Sequence, residues 1–270
     1  MYATVCMTGG LSDDFDTSIS APTTHIETER SRLSEEITAF ERFSTRIENI
    51  TADSVASTER IGGCEHRAAM ATTTRKLLTV REAYTETVMD VPHYEEDYDD
   101  SYLESITEEF GPELGILLTQ SNQFTPATKS ALIAEIDEAI EQRKEFKKIV
   151  DREFCSLRSA ATEVQSLSNR VASLSQTDFE SATFGALDAY LHQTDVLFTN
   201  CDEIARDRQH DLANIERSWN APASSPDLPT YFYQSLPVTY PVLADLGKIG
   251  EAIESLQQDI EQAIIYEVEV

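Results

Sequence analysis

The sequence predicts an all-α protein: a long antiparallel helical hairpin, coiled-coil-like in its patterning, with additional helices packed into a bundle. Three observations carry this expectation. Apolar residues recur in steps of three and four along most of the chain, only nine of the 270 residues are glycine, and no strand-like alternation longer than four residues occurs.

Residues 1–22 are polar, include Gly9-Gly10 and Pro22, and read as a flexible acidic tail. Residues 23–270 read as a helical bundle domain with loops near 52–63, 91–101 and 220–241. A first helix is expected from Thr24 to Thr51, with Ile26, Leu33, Ile37, Phe40 and Ile47 on one stripe and Phe43 and Ile50 beside it. Asp53-Ser54, Ser57-Thr58 and Gly62-Gly63 mark a connection. A second helix, from about Glu65 to Asp90, carries Met70, Leu77, Val80, Tyr84 and Val88 and ends before Pro92. The segment after it is acidic: Glu95, Glu96, Asp97, Asp99 and Asp100 lie among tyrosines and read as an exposed loop. A shorter helix bearing Leu103, Ile106, Phe110, Leu114 and Leu117 should break or kink at Gly111-Pro112.

Thr125-Pro126 is a start signal, a hydroxyl cap followed by proline at the first helical position. From there Leu132, Ile136, Ala139, Arg143, Phe146, Val150, Glu153, Leu157, Ala160, Val164, Leu167, Val171 and Leu174 keep one face without interruption. Such a helix through Ser175 would be about 75 Å long at ~1.5 Å per residue. After a break at Gln176-Thr177-Asp178 the spacing resumes through Phe184, Leu187, Leu191, Thr194, Phe198, Cys201, Ala205, Arg208, Leu212, Ile215 and Trp219. A short connection between two long amphipathic helices makes them antiparallel neighbours. Five prolines between Asn220 and Pro241 imply an extended crossover whose Tyr231, Phe232, Tyr233, Leu236 and Tyr240 pack back on the bundle. A last helix from Val242 to about Ile265 presents Leu246, Ile249, Ile253, Leu256 and Ile260.

Charged residues at inward positions bear on register. Arg143, Glu153 and Arg208 fall there, where an unpaired charge is costly. Folding the hairpin about residue 177 sets Arg143 opposite Asp211, an expected ion pair, and Arg208 opposite Phe146.

The net charge of −28 arises from 49 acidic against 21 basic residues, only six of them lysine. Self-repulsion of this size is muted by concentrated salt, where the Debye length falls to about 3 Å at 1 M. Acidic bias with scarce lysine points to a salt-adapted microbe, and the acidity argues against direct nucleic-acid or anionic-membrane binding. The opening MYATVCMTGGLSDDFD has neither a basic nor an apolar leader region, and no stretch reaches the ~18 apolar residues of a membrane span, so a cytoplasmic location is expected. Cys6, Cys64, Cys155 and Cys201 lie far apart and read as free thiols.

REAYTETVMDVPHYEEDY, EEFGPEL, FTPATKSAL and VDREFCSLRSA, with SLPVTYPVLADL near the C-terminus, resemble segments of a haloarchaeal family of helical proteins described as a domain of unknown function. The resemblance implies a helical fold and a haloarchaeal source, and it implies no activity.

The acidic loop lacks the D-x-D-x-D-G pattern of a calcium loop and reads as a hydrated segment. None of the five histidines has glutamate three residues before it, and Asp90 with His93 and Asp207 with His210 only approximate a bundle metal motif. Cys201 takes an inward position and Cys155 an outward one, which separates them as a thiol pair. Arg143, Lys144, Lys147, Lys148 and Arg152 form the one basic cluster; Glu141 with Lys144, Glu145 with Lys148 and Lys147 with Asp151 are spaced for pairing along the helix, the reading favoured over a docking patch for an acidic partner or a phosphate backbone. No nucleophile elbow, zinc motif or glycine-rich phosphate loop is present. No catalytic residue, metal ligand or cofactor is therefore expected. The sequence favours a helical interaction or scaffold protein, monomeric or homo-oligomeric, over a regulatory module or an enzyme with a site inside the bundle.

Overall fold

A computed structural model describes residues 11–53, 75–219 and 227–269, with side chains placed between Ile19 and Tyr266. All regular structure among them is helical, packed into a helical bundle without strands. The helices are α1 (Leu11–Asn49), α2 (residues 75–85), α3 (Tyr94–Asp97), α4 (Tyr102–Gln120), α5 (Pro126–Ser175), α6 (Phe184–Ser218), α7 (Leu228–Tyr233) and α8 (Pro241–Glu269). They fall into two compact units. One comprises the described residues before Arg30 and from Ile149 onward, the other Arg30–Lys148, so α1 and α5 each contribute a segment to both.

In the Arg30–Lys148 unit, Ile37, Phe40, Phe43 and Ile47 of α1 meet Leu77, Val80 and Tyr84 of α2, Ile106, Phe110 and Leu114 of α4, and Leu132 and Ile136 of α5. Burying a side chain of this size contributes about 1.5–3 kcal/mol. The rings are arranged edge to face: Phe43 lies 5.2 Å from Tyr84, and Tyr84 5.8 Å from Tyr102. α2 ends at Thr85, earlier than expected, because Val88 and Met89 both donate to the Tyr84 carbonyl and the chain unwinds through turns before Pro92. Its start, with Met70, and most of the connection near 52–63 lie outside the described residues. Asp53, at the edge of that connection, accepts a hydrogen bond from the Phe124 amide at 2.9 Å, donates its own amide to the Phe124 carbonyl at 2.7 Å and pairs with Lys76 at 2.8 Å.

α4 starts at a capping box in which Ser101 and Glu104 each satisfy the other's amide. The break expected at Gly111-Pro112 is present, with Gly111 at φ 80° and ψ 161° inside the helix. The buried face runs through Tyr102, Ile106, Phe110, Leu114 and Leu118, while Leu103 and Leu117, expected inward, are exposed.

Three expectations give way in the other unit. α1 begins at Leu11, so residues 11–22, read as a tail, are helical as described, and Pro22 sits inside the helix. Ile19, Pro22 and Ile26 continue the buried stripe, and that burial offsets the backbone hydrogen bond which proline removes. Residues 1–10 lie outside the described ones. The crossover from 220 to 241 is not extended throughout: α7 forms behind an Asp227 cap and buries Leu228, Phe232 and Tyr233, while Tyr240 stays exposed. The hairpin register also differs. Arg208 pairs with Glu153 and Asp211 accepts from Ser156, whereas Arg143 is engaged with Glu36 and Glu109; the expected Arg143–Asp211 pair does not form. Glu153 stands where Phe146 was expected opposite Arg208, a slip of seven residues. A slip of one heptad leaves both inward stripes facing each other, so periodicity alone does not distinguish the two registers.

The α5 stripe is otherwise as expected, with Val150, Leu157, Val164, Leu167, Val171 and Leu174 buried. On α6, Leu197 and Ile204 join the buried set and Phe184 leaves it, because α6 also packs against α8. α8 buries Leu246, Ile249, Ile253, Leu256 and Ile260, and the Cys201 thiol donates to the Leu246 carbonyl at 3.4 Å.

Candidate functional site

Polar side chains gather inside each unit. In the Arg30–Lys148 unit the centre is Arg143 of α5. Its Nε donates to Glu36 Oε2 at 2.8 Å, and its two terminal nitrogens hold both oxygens of Glu109 at 2.5 and 3.1 Å. The guanidinium lies over the Phe40 ring, 4.3 Å from its centroid. Burial works against the charge on Arg143, but the hydrogen-bonded carboxylate of Glu109, together with Glu36, outweighs it and holds the group above its ordinary pKa. The other Glu36 oxygen faces His93 Nε2 at 3.1 Å and accepts from the Tyr98 hydroxyl at 3.0 Å. Burial, then the Glu36 carboxylate, pushes the Tyr98 phenol upward.

These groups border a cavity of about 40 Å³, walled also by Val88, Val91, Tyr94, Asp100, Ser105 and Glu108. Space of that size admits a few water-sized species and falls far below the ~300 Å³ at which pockets begin to hold drug-sized ligands. Glu36 and Glu109 are both bound to Arg143, and the Ser105 hydroxyl is engaged with Tyr84 at 2.8 Å. The arrangement supplies a fixed electrostatic frame, and the obvious bases and hydroxyls at its centre are already partnered.

His93, which the sequence placed in a weak metal motif with Asp90, is buried instead beside Glu35 and Glu36. The acidic stretch is exposed but not a free loop. Glu95, Glu96 and Asp97 belong to α3, and Arg32 of α1 bridges Glu96 at 2.9 Å and Asp97 at 2.7 Å. Asp99 takes φ 49°, a left-handed conformation aspartate tolerates. Among the described residues no group of three histidines, cysteines or carboxylates is placed to hold a metal ion.

In the other unit, Arg208 Nη2 and Nη1 donate to Glu153 Oε1 and Oε2 at 2.5 and 3.1 Å. Ser156 accepts from Nη1 at 2.8 Å, and the Tyr233 hydroxyl closes a short hydrogen bond onto Glu153. Burial and the Glu153 carboxylate raise the Tyr233 phenol. This is a core anchor for α5, α6 and α7.

The residues of the sequence-derived basic cluster are differently placed. Arg143 is internal, and Lys144 reaches Glu41 of α1 at 2.9 Å in place of Glu141 on its own helix. Lys147 is half-buried, while Lys148 and Arg152 are exposed. Arg152 lines an open groove of about 430 Å³ between α5 and α6, with Asp151, Cys155, Ser156, Asp211, Asn214 and Ile215. A second groove on the same two helices, about 290 Å³, is lined by Glu163, Ser166, Leu167, Arg170, Asn200, Glu203, Ile204 and Asp207.

Glu36, Glu109 and Tyr98 were not singled out in the sequence, and Tyr233 was expected there only as a packing residue of the crossover. The signal that an inward Arg143 needs a carboxylate was present, but 49 acidic residues offer no means of choosing which. No described helix is long and apolar enough to cross a membrane. The family described as "Domain of unknown function (DUF7260)" matches residues 17–257. No curated protein and no solved structure matches the chain.

Proposed function

We propose, from the premise that this chain belongs to the DUF7260 family, that it is a helical protein–protein interaction or scaffold protein of a haloarchaeal cytoplasm. One observation carries the reading. From Ile149 onward the inward stripe of α5, like that of α6, is consumed within one unit, yet a further stripe at heptad spacing, Arg152, Ser156, Ser159, Glu163, Ser166 and Arg170, follows the two open grooves between these helices. Small serines let a third helix approach a seam closely, and flanking charges select its partner residues. The coiled-coil patterning thus serves the chain's own core on one side and a partner helix on the other. The salt-adapted source rests on the acidic composition and on the sequence resemblance.

The test is affinity capture in about 2 M KCl, where surface charge is screened to a Debye length of a few ångströms. A tagged chain is expected to retain a protein in stoichiometric amount, and Ser166→Trp, which fills the groove, to lose it. Stoichiometric retention undiminished by Ser166→Trp, or none by the wild type, would overturn this reading.

A further inference from the structure

The seam between α5 and α6 carries charges that the chain's own core does not use. Along it, Ile149, Arg152, Ser156, Ser159, Glu163 and Ser166 of α5 follow one another in steps of three and four. Arg152 and Glu163 are exposed, and among the described residues neither forms an ion pair. The Glu163 carboxylate accepts from Ser159 of its own helix at 3.2 Å. Elsewhere Arg32, Arg46, Arg143 and Arg208 each hold a carboxylate of another segment.

This face is complementary to itself when reversed. An antiparallel pairing centred between residues 157 and 158 sets Arg152 of each copy opposite Glu163 of the other, Ser156 opposite Ser159 and Ile149 opposite Ser166. A two-fold axis makes the two ion pairs identical. Slipping the pairing by one heptad sets Arg152 against Arg170 in one direction and against Ser156 in the other, and parallel alignment opposes like charges throughout. Glu203 and Asp207 of α6 line the same groove as Glu163, so an incoming guanidinium meets three carboxylates, with Arg170 beside them. The serines at the centre let two backbones approach closely.

We infer that the partner helix of the α5–α6 seam is α5 of a second copy of this chain, bound antiparallel about a two-fold axis through Arg152–Glu163 pairs. The inference rests on the reading of that seam as a docking surface and names its occupant. Charge selects the occupant and the register together, since one antiparallel alignment of the stripe with itself brings opposite charges face to face. The net charge of −28 on each copy opposes association at low ionic strength. Concentrated salt mutes that long-range repulsion, with a Debye length of about 3 Å at 1 M, and leaves the close contacts of the seam.

The experiment is sedimentation equilibrium of the purified full chain in about 2 M KCl. A species of twice the 30.2 kDa chain mass is expected. Arg152→Glu alone and Glu163→Arg alone each set like charges against each other twice across the axis, so each should weaken the dimer by roughly tenfold or more. Both side chains are exposed, and the two variants should match the wild type in circular dichroism. Mixed in equal amounts, the two variants should form a dimer again, because each supplies the charge that the other lacks; the double variant should dimerise as the wild type does. A dimer indifferent to both single variants, or single variants that stay apart when mixed, overturns the proposal. A monomeric wild type that captures a different protein, and loses it with Ser166→Trp, overturns the proposal and leaves the docking surface standing. A monomeric wild type that captures nothing ends both.

Discussion

Arg208 of α6 and Glu153 of α5 form a two-pronged ion pair, at 2.5 and 3.1 Å, in which both side chains are almost wholly removed from solvent. Breaking such a pair from one side strands a buried charge. Replacing both sides with apolar groups does not. Arg208→Met or Glu153→Leu alone is therefore expected to cost about 3–5 kcal/mol, and the double variant to recover most of it. Urea unfolding of the four proteins decides this; a double variant as unstable as the singles would assign the stability to something other than charge pairing.

Arg143 offers a parallel test of register. Its coupling to Glu109 and to Glu36 should fall within about 0.5–3 kcal/mol in double-mutant cycles, whereas Arg143→Met and Asp211→Asn should add to within about 0.5 kcal/mol. Strong coupling to Asp211 would restore the register centred on residue 177.

Two glycines should respond in opposite directions. Gly111, at φ 80° and ψ 161°, occupies backbone space almost closed to other residues, so Gly111→Ala should cost about 1–3 kcal/mol although nothing lies within 4 Å of the added methyl. Gly250 lies inside α8 with equally open space, and Gly250→Ala should stabilise by about 0.5–1 kcal/mol. Calorimetric Tm shifts of the same sign for both would contradict the backbone assignment.

Stability should decline at alkaline pH. Burial raises the phenols of Tyr84, Tyr98, Tyr102 and Tyr233, with Glu36 adding to the effect at Tyr98 and Glu153 at Tyr233. Unfolded tyrosine releases its proton near pH ~10, while these folded groups retain theirs. Above that pH the unfolded chain binds fewer protons than the folded one, so unfolding becomes easier as pH rises. The urea midpoint should drop from pH 10 upward, with the phenolate absorbance of these four rings appearing only as the chain unfolds. Phenolate absorbance of the full complement of ten tyrosines without unfolding would show the rings to be accessible.

Much of the architecture was legible because it is local. Pro126 and Thr125 start α5 where the cap chemistry requires, with the Thr125 hydroxyl accepting from the Thr128 amide at 3.1 Å. The stripe from Leu132 to Leu174 is almost continuously buried, and Gly111 breaks α4. The polar sites were less legible. Arg143, Glu153 and Arg208 stood out as inward charges, but their partners Glu36, Glu109 and Tyr233 come from other helices and resemble many exposed residues of the same type.

By itself the sequence determined that this chain is helical, where most of its helices run and which faces they bury, because backbone propensity, caps and three-four spacing act over a few residues. Tertiary structure decided the register of α5 on α6, the division into two units and which carboxylate answers each arginine. A heptad slip preserves every inward apolar position, so hydrophobic burial scores the two registers alike. The difference lies in whether Arg208 meets Phe146 or Glu153, and the cost of an unpaired buried charge selects the second.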